Sequence, residues 1–283
     1  MREMLGCVRL AATLLLTVTG ACDRGVANDA QRPPAPVTGQ WIWSASDSAV
    51  LARGRSTVPD LRAGVWVATI DWRGSAAAAA LATSLGRPLD ATVGHDAELV
   101  IRLEHSINES WRALPADSVA ARLDERLGRV LRVVERGGPR HTVQLDYDAP
   151  VSRLADYAAL LERLRRPGRS LAGRSLWITS LVAHLADPDY GKRFGPLVDG
   201  HIVQLFDTGD GYTPERAREV MARLNRAAIP FRLGLGAFER RLASGPTTHR
   251  AWFDIIPTAA RSPWYRGMWI FPGGVDYQTY LPR

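Results

Sequence analysis

The sequence of 283 residues predicts a (β/α)8 TIM-like barrel, in which parallel strands alternate with helices around a closed sheet. Two observations predict this fold. Eight short apolar runs follow one another along the chain, and amphipathic segments of helical period lie between several of them. Such alternation favours parallel strands joined by crossover helices. An open, doubly wound sheet is the alternative that the same pattern allows.

The N-terminal residues precede the predicted barrel. Residues 1–21 read as a signal peptide, since Arg2 and Arg9 flank a short start and "LAATLLLTVTGAC" then gives an apolar run that ends in small residues. The cysteine after "TGA" resembles the lipobox of bacterial lipoproteins, which implies lipidation of Cys22; ordinary signal cleavage nearby is the alternative. Residues 22–40 form a Pro-rich tether. We therefore expect export to the bacterial cell envelope and a membrane anchor through lipid.

The barrel is predicted to occupy residues 41–283 as a single domain. Its eight strands are predicted at "WIW" (41–43), "GVWVATI" (64–70), "ELVIRLE" (98–104), "TVQLDYD" (142–148), "SLWITSL" (175–181), "HIVQLFD" (201–207), "FRLGLG" (231–236) and "MWIF" (268–271).

Three segments between these runs carry the helical period, at 117–136, 152–166 and 213–227. The last opens with Thr213 in the N-cap position and Pro214 in the first turn, which is a typical helix start.

Composition narrows the function class. The chain is 46% hydrophobic and 23% charged, a balance typical of a soluble globular protein. The net charge of +7 comes almost wholly from arginine, with Lys192 the sole lysine, and arginines alternate with acids along helix faces. We therefore predict no nucleic-acid partner. The six histidines lack the close spacing of a metal site such as HExxH, so neither a metal nor another cofactor is predicted.

The fourth predicted strand carries two acids. Side chains alternate between the faces of a strand, so Gln144, Asp146 and Asp148 share one face while Tyr147 lies on the other. Active sites of such barrels lie at the carboxyl ends of the strands, which places the two aspartates at the barrel mouth. Other polar or aromatic residues at strand ends are expected to join them there: Asp71, Trp72, Glu104, His105, Thr179 or Ser180, His184, Gln204, Asp207 and Glu239.

The segments "VQLDYDAPVSRLADYAALLERLR", "SLWITSL" and "VDGHIVQLFDT" resemble the bacterial domain-of-unknown-function family 3142. A more distant likeness is to chitinase-like glycoside hydrolases of family 18. "QLDYDAP" is similar to their "DxDWEYP", "QLFD" to their "MxYD", "LGLGAFERR" to their "LGxPxYGR" and "GMWIF" to their "GxMxW", in the same order. This resemblance implies a barrel that acts on carbohydrate.

The departures from that family concern the acids. Of the four acidic positions on its fourth strand, only Asp146 is identical here, and Asp148 replaces the glutamate that donates the proton. Phe206 replaces a tyrosine that helps to hold an N-acetyl group, so chitin is a poor guess for the substrate. The resemblance implies Asp148 as proton donor and Asp146 as its electrostatic partner.

A second functional carboxylate is expected at Asp207 or Glu239. A strand rise of about 3.3 Å per residue puts the two aspartates of strand four roughly 6.6 Å apart, which leaves retaining and inverting hydrolysis both open. The predicted carbohydrate-binding residues are Gln144, Gln204, Glu104, Trp72, Trp269 and Tyr147.

Two alternatives are open at this point. Asp146 could instead form a structural ion pair with Arg102, and aromatic residues on strands are more often core than ligand contacts. The favoured function is an exported glycoside hydrolase that acts on an envelope or extracellular polysaccharide. The alternative is a catalytically inactive lipoprotein that binds a glycan or acts as an envelope scaffold.

Overall fold

The computed structural model describes residues 35–73, 80–90, 93–94, 96–206, 211–242, 245–248 and 250–281. The predicted signal peptide, the predicted lipidation site Cys22 and the candidate acid Asp207 lie outside these residues.

Strands run through the whole described part of the chain. They are β1 (Val37–Ile42), β2 (Arg62–Arg73), β3 (Ala80–Leu85), β4 (Glu98–Leu103), β5 (Val143–Asp146), β6 (Leu176–Leu181), β7 (Gly200–Gln204), β8 (Phe231–Gly236), β9 (Glu239–Leu242), β10 (Gly245–Thr248) and β11 (Tyr265–Phe271).

Eight parallel strands close a barrel in the order β1, β2, β4, β5, β6, β7, β8 and β11, and β1 closes the ring because it pairs with both β2 and β11. Each predicted strand corresponds to one of these, and β8 has the predicted bounds. The (β/α)8 prediction is confirmed. β1 begins at Val37, inside the segment that the sequence assigns to the tether, and β5 ends at Asp146 rather than at Asp148.

Three further strands were not predicted from the sequence. β3 pairs antiparallel with the second half of β2, and β9 pairs antiparallel with β10 in a separate hairpin. The segment that contains β3 reads "AAAAALATSL", in which alanine runs hide the alternation of apolar and polar residues on which strand prediction depends.

The helices pack outside the barrel. They are α1 (Ala45–Gly54), α2 (Ile107–Ala113), α3 (Ala116–Glu135), α4 (Leu154–Leu164), α5 (Tyr190–Phe194), α6 (Pro214–Ala227) and α7 (Ile256–Ala259). The three predicted helices correspond to α3, α4 and α6. Thr213 caps α6 as predicted, since its hydroxyl accepts a hydrogen bond of 3.1 Å from the backbone N–H of Arg216. Within the described ranges, no helix combines the length and the apolar character that a membrane crossing requires.

A bulge in β2 reverses which side chains face the barrel interior. Trp66 pairs with Val100 of β4, but Ala68 pairs with Ile101, so one residue of β2 is skipped. Even-numbered residues face inward before the bulge and odd-numbered residues after it. Trp72 therefore packs between barrel and helices, in the main hydrophobic core.

Aromatic rings fill the interior of the barrel where neighbouring strands carry glycine. Trp41, Val100, Trp177, Ile202 and Trp269 form an inner cluster that is separate from the core between barrel and helices. A Cβ atom on Gly39 or Gly64 would lie 2.6 Å from a ring carbon of Trp269, so only glycine leaves space for this indole.

Candidate functional site

A cavity of about 400 Å³ lies at the carboxyl ends of the barrel strands. Its walls combine carboxylates, one guanidinium, small polar groups and aromatic rings. The lining residues come from six of the barrel strands and the positions that directly follow them: Trp41, Trp43, Val100, Arg102, Asp146, Asp148, Thr179, Leu181, Gln204, Phe206 and Phe271.

Both aspartates of the opening motif line this cavity. Asp146 is the last residue of β5 and is 6% exposed, whereas Asp148 lies two residues beyond, where the chain leaves the barrel, and is exposed. The alternation of strand side chains puts both on the inner face. Asp148 lines the cavity and makes no hydrogen bond or ion pair with another described residue.

Three neighbours surround the carboxyl group of Asp146. The Thr179 hydroxyl donates a hydrogen bond of 3.0 Å to Oδ1, and Gln204 Nε2 donates one of 3.3 Å to the same oxygen. Arg102 Nη1 lies 3.6 Å from Oδ2. The ion pair between Asp146 and Arg102 that the sequence left open is therefore present, and it lies beside the cavity.

Burial raises the pKa of Asp146 to about 6, and the negative charge of Asp148 acts in the same direction. Arg102 and the hydrogen bond from Thr179 oppose this rise in the pKa, and Glu104 adds slightly to it. A carboxyl group with this pKa holds a proton in part of the molecules near neutral pH, which is the property that a general acid requires.

Arg102 links the acids to the aromatic wall. Its Nε donates a hydrogen bond of 3.0 Å to Glu104, and its guanidinium carbon lies 5.7 Å from the centre of the Trp43 ring. The predicted ligand residue Glu104 is therefore bound to Arg102 and does not line the cavity.

The aromatic wall consists of Trp41, Trp43, Phe206 and Phe271. Trp43 stacks on Trp66 with ring centres 5.4 Å apart, and Phe206 stacks on Phe271 at 5.8 Å. Flat apolar faces beside polar groups are the features with which protein sites bind sugar rings and other amphipathic ligands. The alternation in "WIW" already puts both tryptophans on one face, but closure of the barrel is what brings Phe271 to them.

A buried polar chain lies below the cavity. Arg232 contacts both carboxylate oxygens of Glu98 at 3.0 and 2.9 Å. Gln144 Nε2 donates to Glu98 at 2.8 Å, and Gln144 Oε1 accepts from Trp41 Nε1 at 2.7 Å. The predicted ligand residue Gln144 is fully buried, and its contact with Trp41 holds one wall of the cavity in place.

Three other predicted ligand residues are buried away from the cavity. Trp269 is fully buried in the inner cluster below it, and Trp72 is 5% exposed on the outer face of β2 because of the bulge. Tyr147 is 1% exposed and donates a hydrogen bond of 2.8 Å to Asn108. These three side chains pack the core and do not line the cavity.

Three further predicted site residues, Gln204, Glu239 and Asp207, differ in their positions. Gln204 lines the cavity beside Asp146. Glu239, at the start of β9, is exposed; its carboxylate lies 3.8 Å from Arg250 and does not line the cavity. Asp207 lies outside the described residues. Among the described cavity residues, both carboxylates therefore come from one segment, the end of β5 and its exit.

His184 connects the chain segments that follow β5 and β6. Its Nδ1 lies 3.2 Å from the backbone N–H of Leu181, which must donate, so Nε2 carries the proton and donates to the carbonyl of Ala149 at 2.7 Å. Burial lowers the pKa of His184 and keeps the ring neutral. These two hydrogen bonds of His184 fix the turn directly after Asp148. The described residues contain no group of three His, Cys, Asp or Glu side chains placed to hold a metal ion.

The fold defines a class of protein, the TIM-like (β/α)8 barrels, and crystal structures with this arrangement support the assignment. The spore cortex-lytic enzyme SleL of Bacillus megaterium superposes with a TM-score of 0.53 at 12% identity, over 88% of this chain and 74% of SleL. The xylanase and alpha-amylase inhibitor protein XAIP-II of Scadoxus multiflorus gives 0.51 at 12% identity, over 86% of this chain and 94% of its own.

A third structure is the xylanase–alpha-amylase inhibitor protein XAIP-I in complex with trehalose, with a TM-score of 0.51, 13% identity, and coverage of 86% of this chain and 94% of the inhibitor. At these identities the likeness concerns the fold. No protein-family model matches the chain, and no curated protein matches it.

Proposed function

We propose that this barrel is a glycoside hydrolase that acts on an envelope or extracellular polysaccharide, with Asp146 and Asp148 as its acid/base pair. The observation that carries the proposal is the position of both carboxyl groups in one wall of a cavity of about 400 Å³, opposite aromatic rings, with a raised pKa at Asp146. The resemblance to family 18 motifs and the structural likeness to a cortex-lytic enzyme support the choice of carbohydrate.

The two carboxyl groups have different tasks in this proposal. Asp148 faces the cavity without a described protein partner, so it donates a proton to the glycosidic oxygen as the bond from this oxygen to the sugar carbon breaks, and water supplies the hydroxyl that bonds to the carbon. Asp146 holds this proton deeper in the wall and passes it to Asp148, and the proton that the attacking water loses restores it.

The test compares the wild-type barrel with Asp148→Asn on a panel of polysaccharides, with new reducing ends as the readout. We expect reducing ends from the wild type alone. Because Asp148 is exposed, the substitution should change the free energy of unfolding by no more than about 0.5 kcal/mol. Equal turnover by both proteins would refute the assignment of Asp148.

A second candidate is a barrel that binds a glycan without cleaving it. The observation that favours it is the origin of both described cavity carboxylates from one segment, with Glu239 turned to Arg250 instead. Two of the structural neighbours are inhibitor proteins, one of them in complex with trehalose. In the same panel, binding of one polysaccharide by both proteins with no reducing ends would select this function.

We also propose that the protein is exported and anchored through a lipid on Cys22. The signal-like residues 1–21 and the lipobox-like "TGAC" support this location. Mass spectrometry of the full-length protein from bacterial membranes should find a lipid-modified N-terminal cysteine, and Cys22→Ser should release the protein from the membrane fraction. A full-length chain that retains residues 1–21 unmodified would contradict the proposal.

A further inference from the structure

Thr179 bridges the two strands that form the acidic wall of the cavity. It is 2% exposed, it lies on the inner face of β6, and its hydroxyl contacts two groups of the neighbouring segment. The backbone N–H of Tyr147 donates to Thr179 Oγ1 at 3.0 Å, and Oγ1 lies 3.0 Å from Asp146 Oδ1. Because Tyr147 N–H donates to the hydroxyl oxygen, the single hydroxyl proton points at Asp146.

The donors of the protein converge on one oxygen of Asp146. Oδ1 receives the Thr179 hydroxyl and Gln204 Nε2, whereas Oδ2 has Arg102 Nη1 at 3.6 Å, beyond ordinary hydrogen-bond distance. Two donors on Oδ1 make it the poorer site for a proton. The carboxyl proton therefore belongs on Oδ2.

We propose that Thr179 is a positioning residue, which orients the carboxyl group of Asp146 so that Oδ2 is the oxygen that carries and releases the proton. The proposal rests on the proposed function, since a proton on Oδ2 matters for hydrolysis only if the pair of aspartates is catalytic. Ser180, the next residue along β6, points to the opposite face and contacts His201 at 2.9 Å, so it has no part in this arrangement.

The consequence is a measurable change at Asp146. The hydrogen bond from Thr179 stabilises the ionised carboxylate, so its loss raises the pKa of Asp146 further. The other groups that act on Asp146 are Asp148 beyond β5, Arg102 and Glu104 on and after β4, and Gln204 on β7; the Thr179 variants retain all four residues.

The experiment follows the titration of Asp146 by NMR of ¹³C-labelled aspartate carboxyl groups, with Asp146→Asn to assign the signal. Thr179→Val should raise the titration midpoint by about one pH unit. Thr179→Ser keeps the hydroxyl and should restore the wild-type midpoint. Ser180→Ala, a matched loss of a buried hydroxyl on the same strand, should leave it unchanged.

A measurement on the wild type guards against misfolding of Thr179→Val, which leaves the N–H of Tyr147 without its acceptor. The Thr179 hydroxyl proton should exchange slowly enough with water to give an NMR signal, and its chemical shift should move at the midpoint of Asp146. A hydroxyl signal that does not respond to this titration, or a midpoint that is the same in Thr179→Val and wild type, overturns the proposal.

The pH dependence of hydrolysis distinguishes the role of Thr179 from the proposed hydrolase function. Activity should fall as the pH rises through the titration midpoint of Asp146, and this fall in activity should move to higher pH in Thr179→Val and not in Thr179→Ser. If the wild type cleaves a glycan but Thr179→Val shifts neither the fall in activity nor the midpoint of Asp146, the role of Thr179 alone is overturned. If the midpoint moves but no glycan is cleaved, the orientation of Asp146 stands and the hydrolase function falls.

Discussion

The buried pair of Arg232 and Glu98 offers the sharpest test of how the floor of the cavity is held. The side chains are 7% and 2% exposed, and Gln144 is the only other hydrogen-bond donor to Glu98 among the described residues. Replacing Arg232 by Met preserves much of its volume beside Trp177, whose ring centre lies 3.6 Å from the guanidinium carbon. It leaves a buried carboxylate without its cation, which typically costs about 3–5 kcal/mol.

A double-mutant cycle, measured by urea denaturation at pH 7, tests the coupling between Arg232 and Glu98. We expect Arg232→Met and Glu98→Met each to lower the free energy of unfolding by about 3–5 kcal/mol. The double variant should lose only about 1–3 kcal/mol, because the remaining penalty is the unpaired amide of Gln144. Losses that simply add in the double variant, or single losses below about 1 kcal/mol, would show that the pair is not coupled as the distances imply.

Three further outcomes are expected. Trp43→Ala should weaken binding of the oligosaccharide that the panel identifies by about 0.5–1.5 kcal/mol in calorimetry, since one of the four rings of the aromatic wall is lost; unchanged affinity would remove Trp43 from the site. Between about pH 4 and 6 the native state keeps a proton on Asp146 that the unfolded chain has lost. The free energy of unfolding should therefore fall with rising pH by up to about 3 kcal/mol relative to Asp146→Asn, as measured by denaturation at several pH values. His201 behaves in the opposite way: burial lowers its pKa to about 3, so stability should fall by up to about 5 kcal/mol as the pH drops from 6.5 to 3, and His201→Leu should lack this dependence.

Local patterns were sufficient to predict the barrel. Parallel strands buried on both faces read as short apolar runs, and the run from Phe231 to Gly236 has the bounds of β8. The same alternation placed Asp146 and Asp148 on one inner face beside the end of a strand. The strand positions and the shared face of the two aspartates both depend on residues that are close in sequence, so the pattern of a single sequence is enough to predict them.

The structural features that the sequence did not predict depend on contacts between distant strands. The bulge in β2 exchanges inward and outward positions, so Trp72 lies outside the barrel although counting from Trp66 puts it inside. The contact from Arg232 to Glu98 spans 134 residues, and nothing near either residue indicates it. Phe271 reaches the cavity only because β11 meets β1 when the barrel closes.

The two glycines beside Trp269 bear on how this sequence can drift over evolution. An alanine at position 39 or 64 would overlap the indole, so neither site can change unless the ring shrinks in the same lineage. Homologues should therefore inherit the three positions as a set, glycine with tryptophan or a larger residue with a smaller ring. A collection of relatives in which these positions vary independently would show that the barrel interior adapts by moving its backbone.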